Sequence, residues 1–491
     1  MNRRSRLLLA ALIAAPVAGG FLLQAIARHQ LSPDKLTLQL EAAHNCRAEI
    51  ESSHVSLFSF PATVEIRNLR MIPRDSVAGT AAPPSQRPPL QVAETMIAAD
   101  RLLLEANLWS LLTGNLSVRR IAVDRPDIRG VRSKKGEKSL ESLLAPPPAT
   151  THASPPPAAA SAAPTDPETE TDSPAAPSPP FKAANLPFAA SLQEVRIRNG
   201  SYSLRNDRKR TFTEVRDFNA ALTDVRINPA SLATANEATL SAGGRIVIDN
   251  QQLSVRTLDL LLTVDGKVQP FDPATGELNG STSLACVARK GSSVNRIPTL
   301  VRLGERLEKL KADIGLAIDL PSEGVLTRDT NLTATVRDRK LFLADDVLFL
   351  FDTYRIKLDK ESWLALETED HLFNGRLQGS TEVSRKALAG VTDFFRGKDP
   401  KLAEIVQKNV LSRIVTEKGL LSIPFESTGD IGHPDVDFSA KFRETLAGSV
   451  KDAAKDLLLD AASGGDALKG AVDTLLNGFL KKAIGKDKDK P

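Results

Sequence analysis

The sequence predicts a mainly β fold with peripheral helices, preceded by a transmembrane helix and closed by amphipathic helices. Three observations carry this. From Phe188 to about Phe442 apolar and polar residues alternate with period two, and turn residues interrupt them about every ten positions, as in many antiparallel strands. Leu7–Ala27 is an uncharged run behind an arginine cluster. Phe442–Ile484 carries apolar stripes at helical spacing.

The N-terminal element comes first. Arg3, Arg4 and Arg6 precede a run whose one strongly polar side chain is Gln24, and Arg28 ends it. At about 1.5 Å per residue such a helix just crosses a hydrocarbon layer of roughly 30 Å. The arginine cluster holds the N-terminus in the cytoplasm and sends the chain after Arg28 outward. Ala25-Ile26-Ala27 also has the small-x-small pattern of a signal-peptidase site, but the apolar core exceeds the usual length of a signal peptide. The expectation is therefore a single-pass anchor in a bacterial inner membrane, residues 1–28, with a periplasmic body.

Residues 145–187 follow a first module, 29–144. They are dominated by Pro, Ala, Ser and Thr and bury too little apolar surface to offset chain entropy, so a disordered linker is expected. A second Pro-rich patch, Ala81–Pro89, reads as a loop between strands.

The β-rich body, 188–441, follows. Leu258, Leu260, Leu262 and Val264 alternate with other residues along one stretch, and Ile314, Leu316, Ile318 and Leu320 along another, so both read as strands with an apolar face. Asn199-Gly200 is a type I′ hairpin signal that would set Ile197 opposite Tyr202 and Val195 opposite Leu204. A two-residue loop at Asp338-Arg339 would set Val336 opposite Leu341 and Ala334 opposite Leu343. Helices are expected at Pro298–Lys311, where Leu300, Val301, Leu303, Leu307 and Leu310 have helical spacing, and at Arg385–Phe395 and Leu402–Val415. Two amphipathic helices over 442–484, divided at Gly464-Gly465, and a charged tail, 485–491, end the chain.

Composition removes several functions. Lys and Arg total 64 against 60 Asp and Glu, a near balance that creates no field for nucleic acid. Cys46 and Cys286 stand far apart outside any CxxC, which fits two buried thiols better than one long disulfide or a zinc site. No GxSxG, HExxH, GxxxxGK[ST] or GxGxxG occurs and the six histidines are scattered, so no catalytic, metal or cofactor site is expected. Asp345-Asp346 and Glu367, Glu369 and Asp370 read as hydrated turns rather than a cation site. Asn199, Asn279 and Asn331 match glycosylation sequons by form alone.

Ile50–Pro61 followed by Val64–Leu69, then Ala99–Leu104, Leu108–Leu116 and Ser117–Ile128, resemble in order the first hairpin, strand, short helix, turn and strand of the AsmA-like family. Leu421–Val436, with Pro424, Gly429 and Pro434, is similar to that family's closing segment. The resemblance implies a chorein-like N-terminal module leading into a long curled antiparallel sheet with an apolar concave face, a β-groove, as in bridge-like lipid transfer proteins. It implies phospholipid or another envelope lipid as the ligand and outer-membrane or envelope biogenesis as the setting.

The residues permit that function without a specific site. Each buried CH₂ contributes about 0.8 kcal/mol, so an acyl chain is held along an apolar strand face by many small gains. The candidate lipid-groove residues are Leu258, Leu260, Leu262, Val264, Ile314, Leu316 and Ile318. The competing readings are a closed body whose apolar rows meet each other, and a scaffold that assists envelope assembly proteins through sheet edges and terminal helices without carrying lipid.

Overall fold

In the computed structural model the described residues are Gln24 and 26–438, except 58, 75–82, 108–115, 148–181, 186–189, 279, 315–321, 367, 398–402, 405–407, 409–413 and 417, together with Glu444. The chain is mainly β: twenty strands among these residues belong to one mixed sheet. Contacts divide it into two compact units, Met1–Tyr202 with Leu222–Ala238 and Gln269–Gly280, and Ser203–Ala221 with Thr239–Val268 and Ser281–Pro491. The division falls within long strands and not at the Pro-rich segment. Most of that segment lies outside the described residues, although Ala183, at its end, is buried and donates its N–H to the Gly276 carbonyl.

The first unit begins with helix α1 (Pro33–Ala43), which starts at Ser32 with Pro at its first position, where no N–H is needed. Strands β1 (Cys46–Ser56), β2 (Ala62–Pro73) and β3 (Ile97–Asn107) follow as an antiparallel meander, with β4 (Leu116–Asp124) and β5 (Asp127–Arg132) both on β3. Helix α2 (Ser139–Leu144) seats Leu143 in a small core with Cys46, Ala48 and Met71. Burial and the nearby Glu41 carboxylate push the Cys46 thiol up to about 11, so it stays protonated and inert.

Strand β6 (Ala190–Asn206) runs parallel to β4, so the sheet is not antiparallel throughout. A parallel pair needs a long crossover, and residues 125–189 provide one. Nor is there a hairpin at Asn199-Gly200. The strand continues through it, with Asn199 alone in the left-handed region (φ 50°), and a two-residue I′ turn needs two such residues. Asn199 instead kinks the strand, after which Ser201 donates its N–H to the Pro126 carbonyl.

Strands β7 (Thr211–Ile227) and β8 (Asn236–Asn250), like β6, contribute residues to both units, and β9 (Val255–Val268) lies wholly in the second. The second unit continues with β10 (Thr282–Ala288), β11 (Ser293–Asn295), helix α3 (Pro298–Ile314), β12 (Glu323–Val325) and β13 (Thr330–Arg337). Then come β14 (Lys340–Leu343), β15 (Val347–Leu350), β16 (Tyr354–Leu358), β17 (Trp363–Ala365), β18 (Asp370–Gly379), helix α4 (Thr381–Arg396), β19 (Ser422–Asp430) and β20 (Asp435–Phe438). The β13–β14 hairpin has the expected register, Ala334 with Leu343 and Val336 with Leu341, and both Asp338 and Arg339 have positive φ.

Helix α3 buries Leu300, Leu303 and Leu307 on one stripe and leaves Val301 exposed. It extends through Asp313 and Ile314, so Ile314 ends a helix and does not begin a strand. Leu316, Ile318 and Leu320 lie outside the described residues, as do most of 402–415, almost all of 442–484, and the tail. Among the described residues no helix is long and apolar enough to cross a membrane, and Arg3, Arg4, Arg6 and residues 7–23 lie outside them.

Candidate functional site

Two apolar surfaces stand out, one in each unit. In the first unit the β ladders align two rows across four strands: Val64, Leu104, Ile121 and Val195, and beside them Ile66, Leu102, Val123 and Ile197. Side chains alternate across a strand, so these eight share one face. Seven are half-buried, and Leu104 keeps 39% of its surface exposed.

The opposite face of the same strands is charged. Arg101 bridges Glu65 (3.2 Å) and Asp124 (3.7 Å), and Arg120 bridges Glu194 (2.7 Å) and Glu105 (4.0 Å). The Glu194 carboxylate raises the Arg120 guanidinium above its usual range. Apolar side chains reached by water across four neighbouring strands form a patch of the kind that marks a binding surface.

In the second unit most of the apolar face is covered, with Ile356 and Leu358 at its β16 edge half-buried. Ile356, Leu377 and Ile423 lie in one row across β16, β18 and β19, and Leu358, Gly375, Phe425 and Phe438 in the next, which reaches β20. Leu377, Ile423 and Phe425 are all at or below 3% exposure. A Cβ at Gly375 would sit 2.6 Å from the Lys357 carbonyl and 3.0 Å from the Phe425 ring, so this position requires glycine. Helix α3 is fixed over β20, where Arg306 Nε donates to the Val436 carbonyl (3.2 Å).

Beneath the start of α3 is an apolar cavity of about 230 Å³, walled by Leu258 and Leu260 of β9, Val294 of β11, Leu300, and the rings of Phe349, Phe351, Phe373 and Phe425. Of the groove residues expected from sequence, Leu258 and Leu260 therefore meet at this cavity. Leu262 and Val264 pair with Ala288 and Cys286 farther along β9 and stay half-buried. The aromatic wall was not legible as a site, because its residues come from separate strands that the fold brings together.

One polar relay reaches the cavity wall. His371, 1% exposed, donates from Nδ1 to the Gly429 carbonyl (2.7 Å) and accepts at Nε2 from Ser427 Oγ (2.7 Å). Thr299, which lines the cavity, donates to Ser427 Oγ (3.3 Å). Burial lowers the His371 pKa, keeping the ring neutral.

Comparison with family models, curated proteins and solved structures gives no match. The remaining features carry structural chemistry. In the first unit a polar cleft of about 450 Å³ lies between α1 and residues 84–89, floored by buried Arg47. Asp345 accepts from Thr333 (2.5 Å), Asp346 pairs with Lys357 (2.6 Å), and Lys209 bridges Glu369 and Asp430. Among the described residues no three His, Cys, Asp or Glu side chains converge as metal ligands. Cys46 and Cys286 are free and buried.

Proposed function

We propose that this protein is an inner-membrane-anchored, AsmA-like periplasmic lipid carrier that holds the acyl chains of phospholipid or another envelope lipid against apolar β-surfaces. The observation that carries the reading is the two-sided chemistry of β2, β3, β4 and β6, where one face is charged and ion-paired and the other is apolar and reached by solvent. Such a face binds chains of CH₂ groups at about 0.8 kcal/mol each and needs no catalytic residue. The apolar pocket of the second unit, open to solvent on one side, offers the same chemistry.

The order of segments supports the reading too. The stretches similar to the AsmA-like family occupy β1 to β5, apart from 108–115, and β19 to β20. The test is lipid mass spectrometry on an extract of the purified full chain, wild type against Leu104→Asp/Ile121→Asp. The reading expects lipid in the wild type and strong depletion in the folded variant. A wild-type protein free of lipid that co-purifies with an envelope assembly protein would replace this reading with the scaffold.

A further inference from the structure

Gln24 is the one strongly polar side chain in the apolar run Leu7–Ala27, and its contacts explain why. It is buried against the end of β1, where Nε2 donates to the Val55 carbonyl (2.6 Å) and Oε1 accepts from the Leu57 N–H (2.7 Å). Its amide thus pairs the strand edge as a neighbouring strand would. Arg28 Nε donates to the same Val55 carbonyl (3.4 Å), and Ser53 Oγ to the Leu31 carbonyl (2.6 Å). Four hydrogen bonds therefore clamp the outer end of the β1–β2 hairpin to residues 24–31.

Beyond this clamp the hairpin tip presents Phe60 with 78% of its surface exposed, the highest among the large apolar side chains of the described residues. Ile26, on the clamping segment, is 48% exposed. A solvated strand edge needs no amide partner at Val55 and Leu57, but an edge lowered to the hydrocarbon boundary does, because water no longer satisfies its backbone groups there.

We infer that the β1–β2 tip is a membrane-interface wedge, with Phe60 seated among lipid headgroups and upper acyl chains and Gln24 fixing its depth. This rests on the reading of Leu7–Ala27 as a bilayer-spanning anchor. In a helix with about 1.5 Å rise per residue, Gln24 lies about 5 Å inside the end of that run, at the level where aromatic and apolar side chains enter a bilayer interface. Arg28 then falls at the phosphates, where a cation is favoured. The wedge holds the edge of the sheet against the leaflet from which lipid would enter.

The test uses Phe60→Trp in the full chain, reconstituted in phosphatidylcholine/phosphatidylglycerol vesicles, with wild type subtracted to remove Trp109 and Trp363 emission. Lipids brominated near the carbonyl end of the acyl chain should quench most of the added emission, and chain-terminal bromine should quench less. Adding Gln24→Leu should abolish this depth preference while the vesicles still float the protein. Flotation with no bromine quenching overturns the wedge and leaves the anchor standing. Failure to float overturns the anchor reading, and the wedge with it.

Discussion

The apolar face of β2, β3, β4 and β6 and that of β16, β18, β19 and β20 arise from the same period-two pattern, yet water reaches one and is largely excluded from the other. Leu104 in the first is 39% exposed, whereas Ile423 in the second is 1% exposed. The difference lies in what covers them. Helix α3 donates from Arg306 to β20, and Ser384 of α4 accepts the Leu421 N–H (2.9 Å), so helices from elsewhere in the chain close the second face. A strand's own alternation specifies an apolar face but not its cover.

The sharpest way to break this contrast is to place one charge on each face. Ile423→Asp buries a carboxylate with no partner among Leu377, Ile356 and Phe425, and should cost several kcal/mol, enough to unfold the second unit in thermal denaturation. Survival of a native melt would mean that the face opens to water.

Truncation of the polar relay comes next. His371→Ala removes the side-chain donor to the Gly429 carbonyl and leaves the Ser427 hydroxyl only its 3.3 Å contact with Thr299, and should cost about 1–3 kcal/mol in denaturant unfolding. Because burial depresses the folded-state pKa of His371, the unfolded chain binds the extra proton. Stability should therefore fall as pH drops below the unfolded value of about 6.5, and the variant should lose that part of the slope. An unchanged pH profile would show that the ring is not buried neutral.

A smaller loss is expected at the kink of β6. Asn199→Ala places a less tolerant side chain at φ 50° and should cost about 1 kcal/mol. No loss would mean that the kink relaxes. Smallest of all is the effect of Leu104→Asp on stability, within about 0.5 kcal/mol, since its side chain already reaches water. A large loss there would show the first face to be closed as well.

Much of this was legible in the sequence. The β13–β14 register followed from its alternation and a two-residue loop, and α3 and α4 followed from helical spacing. The β6 kink did not, because Asn-Gly signals a turn only when the pairing strand is local, and here β4 pairs with β6 from across a long crossover. Ile314 was misread because Ile314, Leu316 and Ile318 also alternate, while the helix that holds Ile314 is stabilised by buried Leu303 and Leu307. Leu258 and Leu260 were found as part of an apolar row, but their aromatic partners were not, because register over distant strands sets that meeting. The eight-residue face of the first unit was visible only strand by strand.

The most direct test of the account places a photo-crosslinking phenylalanine analogue, one position at a time, along β3 and β4 of the full chain in cells. Lipid adducts, detected by mass spectrometry, should form at 102, 104, 121 and 123 and be absent at 101, 105, 120 and 124, reproducing the alternation of the strands. Adducts on both faces alike, or on neither, would contradict the claim that this apolar face is the lipid-bearing surface.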